Sequence, residues 1–161
     1  MNKLLLFFIS MLLFVCGCSS TTPTKPYTGR VLNIGIIGNP PTIMENRTVK
    51  FVPITFEDLV NDNYKNYDAV FIMKEKLAEA SNDNYSKIYA ELHEPIIFIG
   101  TDTLMPFISN NTEYLSKDFQ KGSAYSSGLI EGVSYGFGLY NDKENEAALK
   151  LFYSDLFRLI E

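Results

Sequence analysis

Two pairs of carboxylates are the residues of this 161-residue chain best suited to acid–base chemistry. Glu57 and Asp58 adjoin each other, whereas Glu75 and Glu79 lie one helical turn apart. Acid–base catalysis by two carboxyl groups needs surroundings that push their pKa values apart. The first pair falls at an expected helix start, where carboxylates favour the helix dipole. The second has the spacing of a solvated helix face. Both patterns indicate structural roles, and we assign no catalytic residue.

His93 is the single histidine, and it stands among Glu91, Glu94 and Pro95. A metal site would need at least two more ligands from distant positions. A Ser-His-Asp triad would need a nucleophile, and no serine stands in a Gly-x-Ser-x-Gly elbow. We therefore interpret His93 as a loop residue and predict neither a metal nor a cofactor.

Gly35 and Gly38 end a predicted strand and superficially suggest a phosphate-binding loop. The dinucleotide fingerprint needs a third glycine and an immediate helix whose N-terminus holds phosphate. Asn39-Pro40-Pro41 follows instead, so we interpret Gly38 as a turn residue.

Two apolar runs organise the rest of the chain, from Ala69 to Met73 and from Pro95 to Gly100. Continuous apolar runs are typical of strands buried on both faces of a parallel sheet. The segment between them is long enough for a crossover, with a helix over Tyr85 to Leu92 that Asp83 or Asn84 caps. The sequence therefore predicts a βαβ unit.

The preceding residues extend this unit. Strands are predicted over Arg30 to Ile37 and over Thr48 to Ile54. Their pairing direction stays open, because only about ten residues separate them and this is near the lower limit for a parallel crossover. Thr55 is predicted to cap a short helix, with Asp58 as the acid of a capping box.

A final amphipathic helix is predicted from Lys143 to Ile160, capped by Asn141-Asp142. Its apolar stripe comprises Ala147, Ala148, Leu151, Phe152, Leu156, Leu159 and Ile160.

The segment from Ala124 to Tyr140 mixes glycines with aromatic residues. It predicts a hairpin with Glu131-Gly132 as its turn, and a helix from Ser126 to Gly136 is the alternative. As an edge strand, Gly132 to Tyr140 would hold one row of side chains under the final helix: Val133, Tyr135, Phe137 and Leu139. The opposite row would be nearly bare and open to another chain, with Tyr125 and Tyr140 as anchors: Ser134, Gly136, Gly138 and Tyr140.

Together these elements predict an α/β fold. We expect a small Rossmann-like or flavodoxin-like open sheet of mostly parallel strands with helices, followed by a C-terminal hairpin or edge strand and a final helix. Ligands of open α/β sheets bind beyond the carboxyl ends of the strands. A ligand cleft at those ends would present Asn39, Thr55, Lys74, Glu75, Thr101 and Asp102.

Composition and cysteine usage exclude several classes of protein. The hydrophobic share of 46% is that of an ordinary globular chain. A net charge of −5 without a basic patch argues against nucleic acid as a partner. Cys16 and Cys18, the only cysteines, precede the domain, so it is neither a disulfide scaffold nor a thiol enzyme.

The N-terminus has the pattern of a targeting signal. The run from Leu4 to Val15 is apolar except for Ser10, and its length suits a signal-peptide core better than a membrane span. It ends in Val15-Cys16-Gly17-Cys18, which resembles the lipobox of bacterial lipoproteins. The resemblance implies cleavage after Gly17 and diacylglyceryl attachment to Cys18, although cysteine is uncommon at the middle position that Cys16 occupies.

We therefore divide the chain into a signal peptide (residues 1–17), a lipidated cysteine with a flexible tether (18–29) and one α/β domain (30–161). The expected protein is a lipid-anchored bacterial lipoprotein on the extracytoplasmic face of the cell membrane. We expect its domain to be non-enzymatic and to bind another membrane or surface protein, or a small ligand. The alternatives are a solute-binding accessory component of a transporter and, third, a surface hydrolase.

Lipidation at Cys18 gives the first testable prediction. Cells that express the wild-type chain should incorporate labelled palmitate into it, whereas Cys18→Ala should carry no label. Cys16→Ala is the control and should be labelled, because only the last cysteine of the lipobox becomes acylated. Equal labelling of Cys18→Ala and the wild type would contradict the prediction.

Overall fold

The computed structural model describes residues 25–109, 114 and 124–161. The predicted signal peptide, Cys18 and the first part of the predicted tether lie outside these residues, so lipidation stays a prediction.

Six strands form one mixed sheet. They are β1 (Leu32–Ile37), β2 (Val49–Pro53), β3 (Ala69–Ile72), β4 (Ile96–Ile99), β5 (Ser126–Ile130) and β6 (Val133–Phe137). Their order across the sheet is β2-β1-β3-β4-β5-β6. The first four are parallel to one another, whereas β5 is antiparallel to β4 and β6 is antiparallel to β5. The predicted α/β class with mostly parallel strands is therefore confirmed.

Helices cover both faces of the sheet. The described part of the chain has five α-helices: α1 (Phe56–Val60), α2 (Leu77–Ala80), α3 (Asp83–Glu91), α4 (Met105–Ile108) and α5 (Glu146–Leu159). The first four pack on one face, where Phe98 stacks on Phe107 with ring centroids 4.1 Å apart. The C-terminal helix packs on the other, which we call the α5 face, with Phe157 stacked over Phe71 at 6.4 Å.

The predicted βαβ unit is confirmed. Strands β3 and β4 are adjacent and parallel, with Phe71 opposite Ile97, and α2 and α3 form the crossover between them. Every residue of both strands is buried, because helices lie on both sides of this part of the sheet. The two continuous apolar runs are therefore strands buried on both faces of the sheet, as predicted.

The pairing direction of the first two strands is parallel, with Leu32 opposite Val49. The connection between them crosses the α5 face and buries Ile43 there. The connection from β2 to β3 contains α1 and lies on the opposite face, so the chain changes sides at β2.

Of the predicted helix caps, one is right and two are wrong. Thr55 and Asp58 form the predicted capping box at α1. Asn82, rather than Asp83 or Asn84, caps α3, and its side chain accepts a hydrogen bond from the Asn84 N–H at 3.0 Å.

The final helix begins later than predicted. Asn145, rather than Asn141-Asp142, is its cap and accepts from the Ala148 N–H at 3.0 Å. Asn141 and Asp142 have φ values of 55° and 52°, whereas an N-cap needs an extended backbone. The buried side of α5 also differs from the predicted stripe, because Ala147 and Leu159 are exposed and the following residues are buried instead: Tyr153, Ser154 and Phe157.

The C-terminal hairpin is confirmed, and the helical alternative over Ser126 to Gly136 is wrong. Ile130 pairs with Val133 across a two-residue turn. The turn residues Glu131 and Gly132 have φ values of 52° and 75°, as a type I′ turn requires at both positions.

The buried layers of the sheet generate the second prediction. Phe98→Ala should lower the free energy of unfolding by about 3–5 kcal/mol, because it leaves a cavity between β4, α3 and α4. Urea unfolding measures this loss. Val60→Ala is the control, since Val60 is 55% exposed and its truncation should change stability by less than about 0.5 kcal/mol. A loss below about 1 kcal/mol for Phe98→Ala would contradict the packing described here.

Candidate functional site

The carboxyl ends of β1 and β3 lie side by side, and the connections that follow them leave on opposite faces of the sheet. The chain after β1 passes over the α5 face, whereas the chain after β3 enters α2 and α3 on the other face. A crevice at such a divergence is the usual ligand position in open α/β sheets. Asn39 and Glu75, two of the predicted cleft residues, come from these two connections.

Glu75 accepts two hydrogen bonds from Asn39, from the backbone N–H at 2.7 Å and from the side-chain amide at 3.0 Å. Gly38 permits this close approach, since a Cβ atom there would lie 2.8 Å from the Glu75 carboxylate. Partial burial acts to raise the pKa of Glu75, but the bonds from Asn39 and from its own backbone outweigh burial and hold the pKa below its ordinary value. The carboxylate at this crevice is therefore anionic and already held in place.

Three further predicted cleft residues follow the carboxyl ends of β3 and β4. The aliphatic part of Lys74 lies over Gly100, where a Cβ atom would approach the Lys74 side chain to 2.9 Å. Thr101 is buried, and its hydroxyl bonds to Thr103 in the turn after β4. Asp102 follows it and is half-buried.

Thr55 serves its own helix. Its hydroxyl donates to Asp58 at 2.7 Å and accepts from the Asp58 N–H at 3.2 Å. The structure thus joins Asn39 to Glu75 and places Lys74 beside Gly100, while Thr55 and Thr101 bond within their own turns. The cleft as a ligand site stays a prediction.

Asp58, Glu75 and Glu79 bond to residues outside their carboxylate pairs. Asp58 lies in the capping box, where hydrogen bonds from the Thr55 hydroxyl and N–H and from Asn63 lower its pKa. Glu79 forms an ion pair with Lys76 at 2.8 Å, while Glu75 binds Asn39. Asp58 thus has the contacts of a helix start and Glu79 those of a helix face, whereas Glu75 joins two connections of the sheet.

His93 is exposed and precedes β4, whereas Asp102 follows that strand at its other end. Residues at opposite ends of one strand cannot form a triad. Among residues 25–109, 114 and 124–161, no group of three or more His, Cys, Asp and Glu side chains is arranged to hold a metal ion.

Sequence reasoning missed a buried carboxylate, that of Glu45, which is 4% exposed. It accepts hydrogen bonds from the Tyr27 N–H at 2.8 Å and the Met44 N–H at 3.0 Å, and the hydroxyl of Ser154 in α5 donates to it. The glutamate therefore joins the start of the domain, the β1–β2 connection and the C-terminal helix. No local pattern marks Glu45, because its partners are distant in sequence.

The beginning of the domain lies at the amino ends of the parallel strands, against the end of α5. Arg158 donates to the Lys25 carbonyl, and the Arg30 N–H donates to the Glu161 carboxylate at 3.0 Å. Arg30 also forms an ion pair with Asp68 at 2.6 Å. The chain thus enters the domain at the end of the sheet opposite the crevice.

The hairpin leaves a strand edge and an apolar surface uncovered. Val133 and Tyr135 are 53% and 41% exposed on the α5 face, so the prediction that they pack under the final helix is wrong. Phe137 and Leu139 do pack against the core there. In α5, Phe157 contacts Phe51 of β2 and Phe71 of β3, and Phe152 contacts Tyr125 just before β5. The helix therefore reaches the start of the hairpin and leaves Val133 and Tyr135 exposed.

The backbone of β6 directs hydrogen-bonding groups toward the outer edge of the sheet. Ile130 and Val133 close a two-residue turn and are a hydrogen-bonded pair, and such pairs alternate with non-hydrogen-bonded ones along a hairpin. Ser134 and Gly136 therefore direct their N–H and C=O groups away from β5. Both residues are exposed, and a Cβ atom at Gly136 would meet Ala124 alone among the described residues, at 3.4 Å. We call this outward backbone, with Val133 and Tyr135, the β6 edge.

The predicted anchors differ from each other. Tyr125 is half-buried, and its ring packs edge-on against Phe152 with centroids 5.2 Å apart, so it belongs to the domain interior. Tyr140 is 42% exposed and lies in the turn after β6.

The chain matches no known family model, no curated protein and no solved structure. In the part of the chain that the structure describes, no helix is long and apolar enough to cross a membrane.

The Glu45 contacts generate the third prediction. Glu45→Gln should lower the free energy of unfolding by about 1.5–3 kcal/mol, because hydrogen bonds to a charged group contribute about that much. The Tyr27 amide should also exchange its hydrogen faster, which native-state exchange measures. Glu57→Gln, at an exposed position, is the control and should change neither quantity. An unchanged Tyr27 amide in Glu45→Gln would show that this carboxylate does not hold the start of the domain.

Proposed function

We propose that the protein is a lipid-anchored lipoprotein on the extracytoplasmic face of a bacterial cell membrane, and that its non-enzymatic domain binds another protein chain through the β6 edge. The observation that carries the binding proposal is an exposed edge strand whose outward backbone groups have no hydrogen-bond partner among the residues that the structure describes. The anchoring proposal rests on the apolar N-terminal run and on Val15-Cys16-Gly17-Cys18.

The two edges of the sheet differ in chemistry. The β2 edge carries exposed Lys50 and ends in Pro53, which has no N–H to donate. Lysine and proline are the residues that commonly protect an edge strand from pairing. The β6 strand, Val133 to Phe137, contains neither a charge nor a proline. An added strand would therefore find donors and acceptors at β6 and an obstacle at β2.

The position of Tyr27, at the start of the domain, supports the anchoring proposal. Tyr27 is buried and bonded to Glu45 at the amino ends of the strands, so a lipid on Cys18 would attach at that end of the domain. Residues 19–26 would join them, and the nine steps from Cys18 to Tyr27 would span at most about 32 Å when extended. The domain would then stay within one domain diameter of the membrane, where other membrane proteins are near.

Binding of a solute is the second candidate function, as in an accessory component of a transporter. The observation that favours it is the pair of Asn39 and Glu75 at the crevice between β1 and β3. We infer a flavodoxin-like sheet on the same basis, since the parallel strands follow the order 2-1-3-4 with helices on both faces. A protein partner remains our first proposal, because the β6 edge is open whereas the hydroxyls of Thr55 and Thr101 are engaged in their own turns.

A photoreactive phenylalanine in place of Tyr135 tests strand addition in intact cells, and this is the fourth prediction. Irradiation should link the chain to a second polypeptide and give a band of higher mass. The same residue in place of Val60, which lies on α1 and is 55% exposed against 41% for Tyr135, should give none.

Two substitutions at Ser134 identify the contact. Ser134→Pro removes an outward N–H without removing a bond to β5, and it should abolish the adduct. Ser134→Ala keeps that N–H and should retain it. An adduct that survives Ser134→Pro, in a chain that is still folded by circular dichroism, would contradict strand addition at β6.

A further inference from the structure

The row of side chains along β6 is symmetric about its centre. Large residues at 133, 135 and 137 alternate with small ones at 134 and 136. When this strand pairs antiparallel with its own copy about Tyr135, Val133 faces Phe137 and Tyr135 faces Tyr135. Each large side chain then meets a large one on the α5 face, and each small one meets a small one on the other face.

The hydrogen-bonding groups have the same symmetry. Ser134 and Gly136 both direct their backbone outward, and in this register Ser134 of one copy lies opposite Gly136 of the other. Each of these is a hydrogen-bonded pair, in which both residues donate an N–H and accept through a C=O. Tyr135 lies at the centre in a non-hydrogen-bonded pair, where Cα atoms come within about 4.5 Å. No donor or acceptor of Ser134 or Gly136 is left without a partner.

Charge does not oppose this pairing. Glu131 is the only charged residue between Tyr125 and Asn141, and it lies in the turn at one end of β6. In the antiparallel register the two turns lie at opposite ends of the paired strands, so the two glutamates are far apart. The exposed surfaces of Val133 and Tyr135 would be covered by the partner strand instead of meeting water.

We propose that the chain that adds to β6 is a second copy of this protein, so that two copies form one continuous sheet across a two-fold axis. This inference rests on the proposed function, because it names the partner of the same edge. Lipid anchoring of both copies in one membrane would raise their effective concentration. With the two-fold axis along the membrane normal, Tyr27 of both copies would lie at the same distance from the membrane.

Disulfide cross-linking tests both the partner and the register. Wild-type and variant chains are expressed at full length with two different tags, and membranes are treated with a mild oxidant. Tyr135→Cys should give a disulfide-linked dimer that contains both tags, since the central pair is close enough for a disulfide. Val133→Cys alone should give none, because two residues 133 lie about four residues apart along the joined strands, roughly 13 Å.

A mixed pair completes the test of the register. Val133→Cys with one tag and Phe137→Cys with the other should link when co-expressed, because these positions face each other. Adding Ser134→Pro to Tyr135→Cys should reduce the linked fraction at least tenfold, whereas adding Ser134→Ala should leave it unchanged. Lys50→Cys on the β2 edge is the matched edge control and should not link.

The outcomes separate this inference from the proposed function. No linked dimer from Tyr135→Cys, together with a photoadduct at position 135 that contains only one tag, would overturn self-pairing and leave another chain as the partner. Neither linked dimer nor photoadduct would overturn both. A linked dimer in Val133→Cys alone as strong as that in Tyr135→Cys would also overturn the inference, because it would mean random collision rather than this register.

Discussion

The buried Glu45 carboxylate holds three parts of this protein together. Glu45 takes its hydrogen bonds from Tyr27 at the start of the domain, from Met44 in the β1–β2 connection and from Ser154 in α5. A carboxylate removed from water costs several kcal/mol unless hydrogen bonds replace its hydration. The three donors must therefore stay together, which fixes the start of the domain at Tyr27 against the middle of the last helix.

The position of α5 decides which part of the sheet remains open. With Ser154 bound to Glu45, the helix directs its aromatic residues at β2 and β3, where Phe157 contacts both Phe51 and Phe71. A single helix is about 10 Å wide, whereas six strands span more than twice that width. Part of β6 thus lies beyond the helix, and Val133 and Tyr135 stay exposed although their alternation resembles that of a core-facing strand.

Local patterns in the sequence predicted local structure well. The apolar runs of β3 and β4, the capping box of Thr55 and Asp58, and the turn at Glu131-Gly132 each depend on neighbouring residues. The features that sequence reasoning missed depend on distant partners. Nothing near Glu45 indicates burial, and nothing in β6 reveals where α5 lies. The predicted cap of α5 is wrong because Asn141-Asp142 and Asn145 are equally suitable caps by residue type. Only the left-handed backbone at residues 141 and 142 distinguishes them. The sequence also did not reveal which predicted cleft residues contact one another. Asn39 and Glu75 meet because β1 and β3 are neighbours in the sheet, which depends on the order of the strands.

The lysine and proline of the β2 strand have a consequence for the size of any assembly. A sheet has two borders, and a chain whose borders were both open would add copies without limit, as in a fibre. Here a pair joined at β6 would present only β2 at its two outer borders, with Lys50 and Pro53 on each. Growth would end at two copies, so the same short strand that closes the sheet also makes the complex finite.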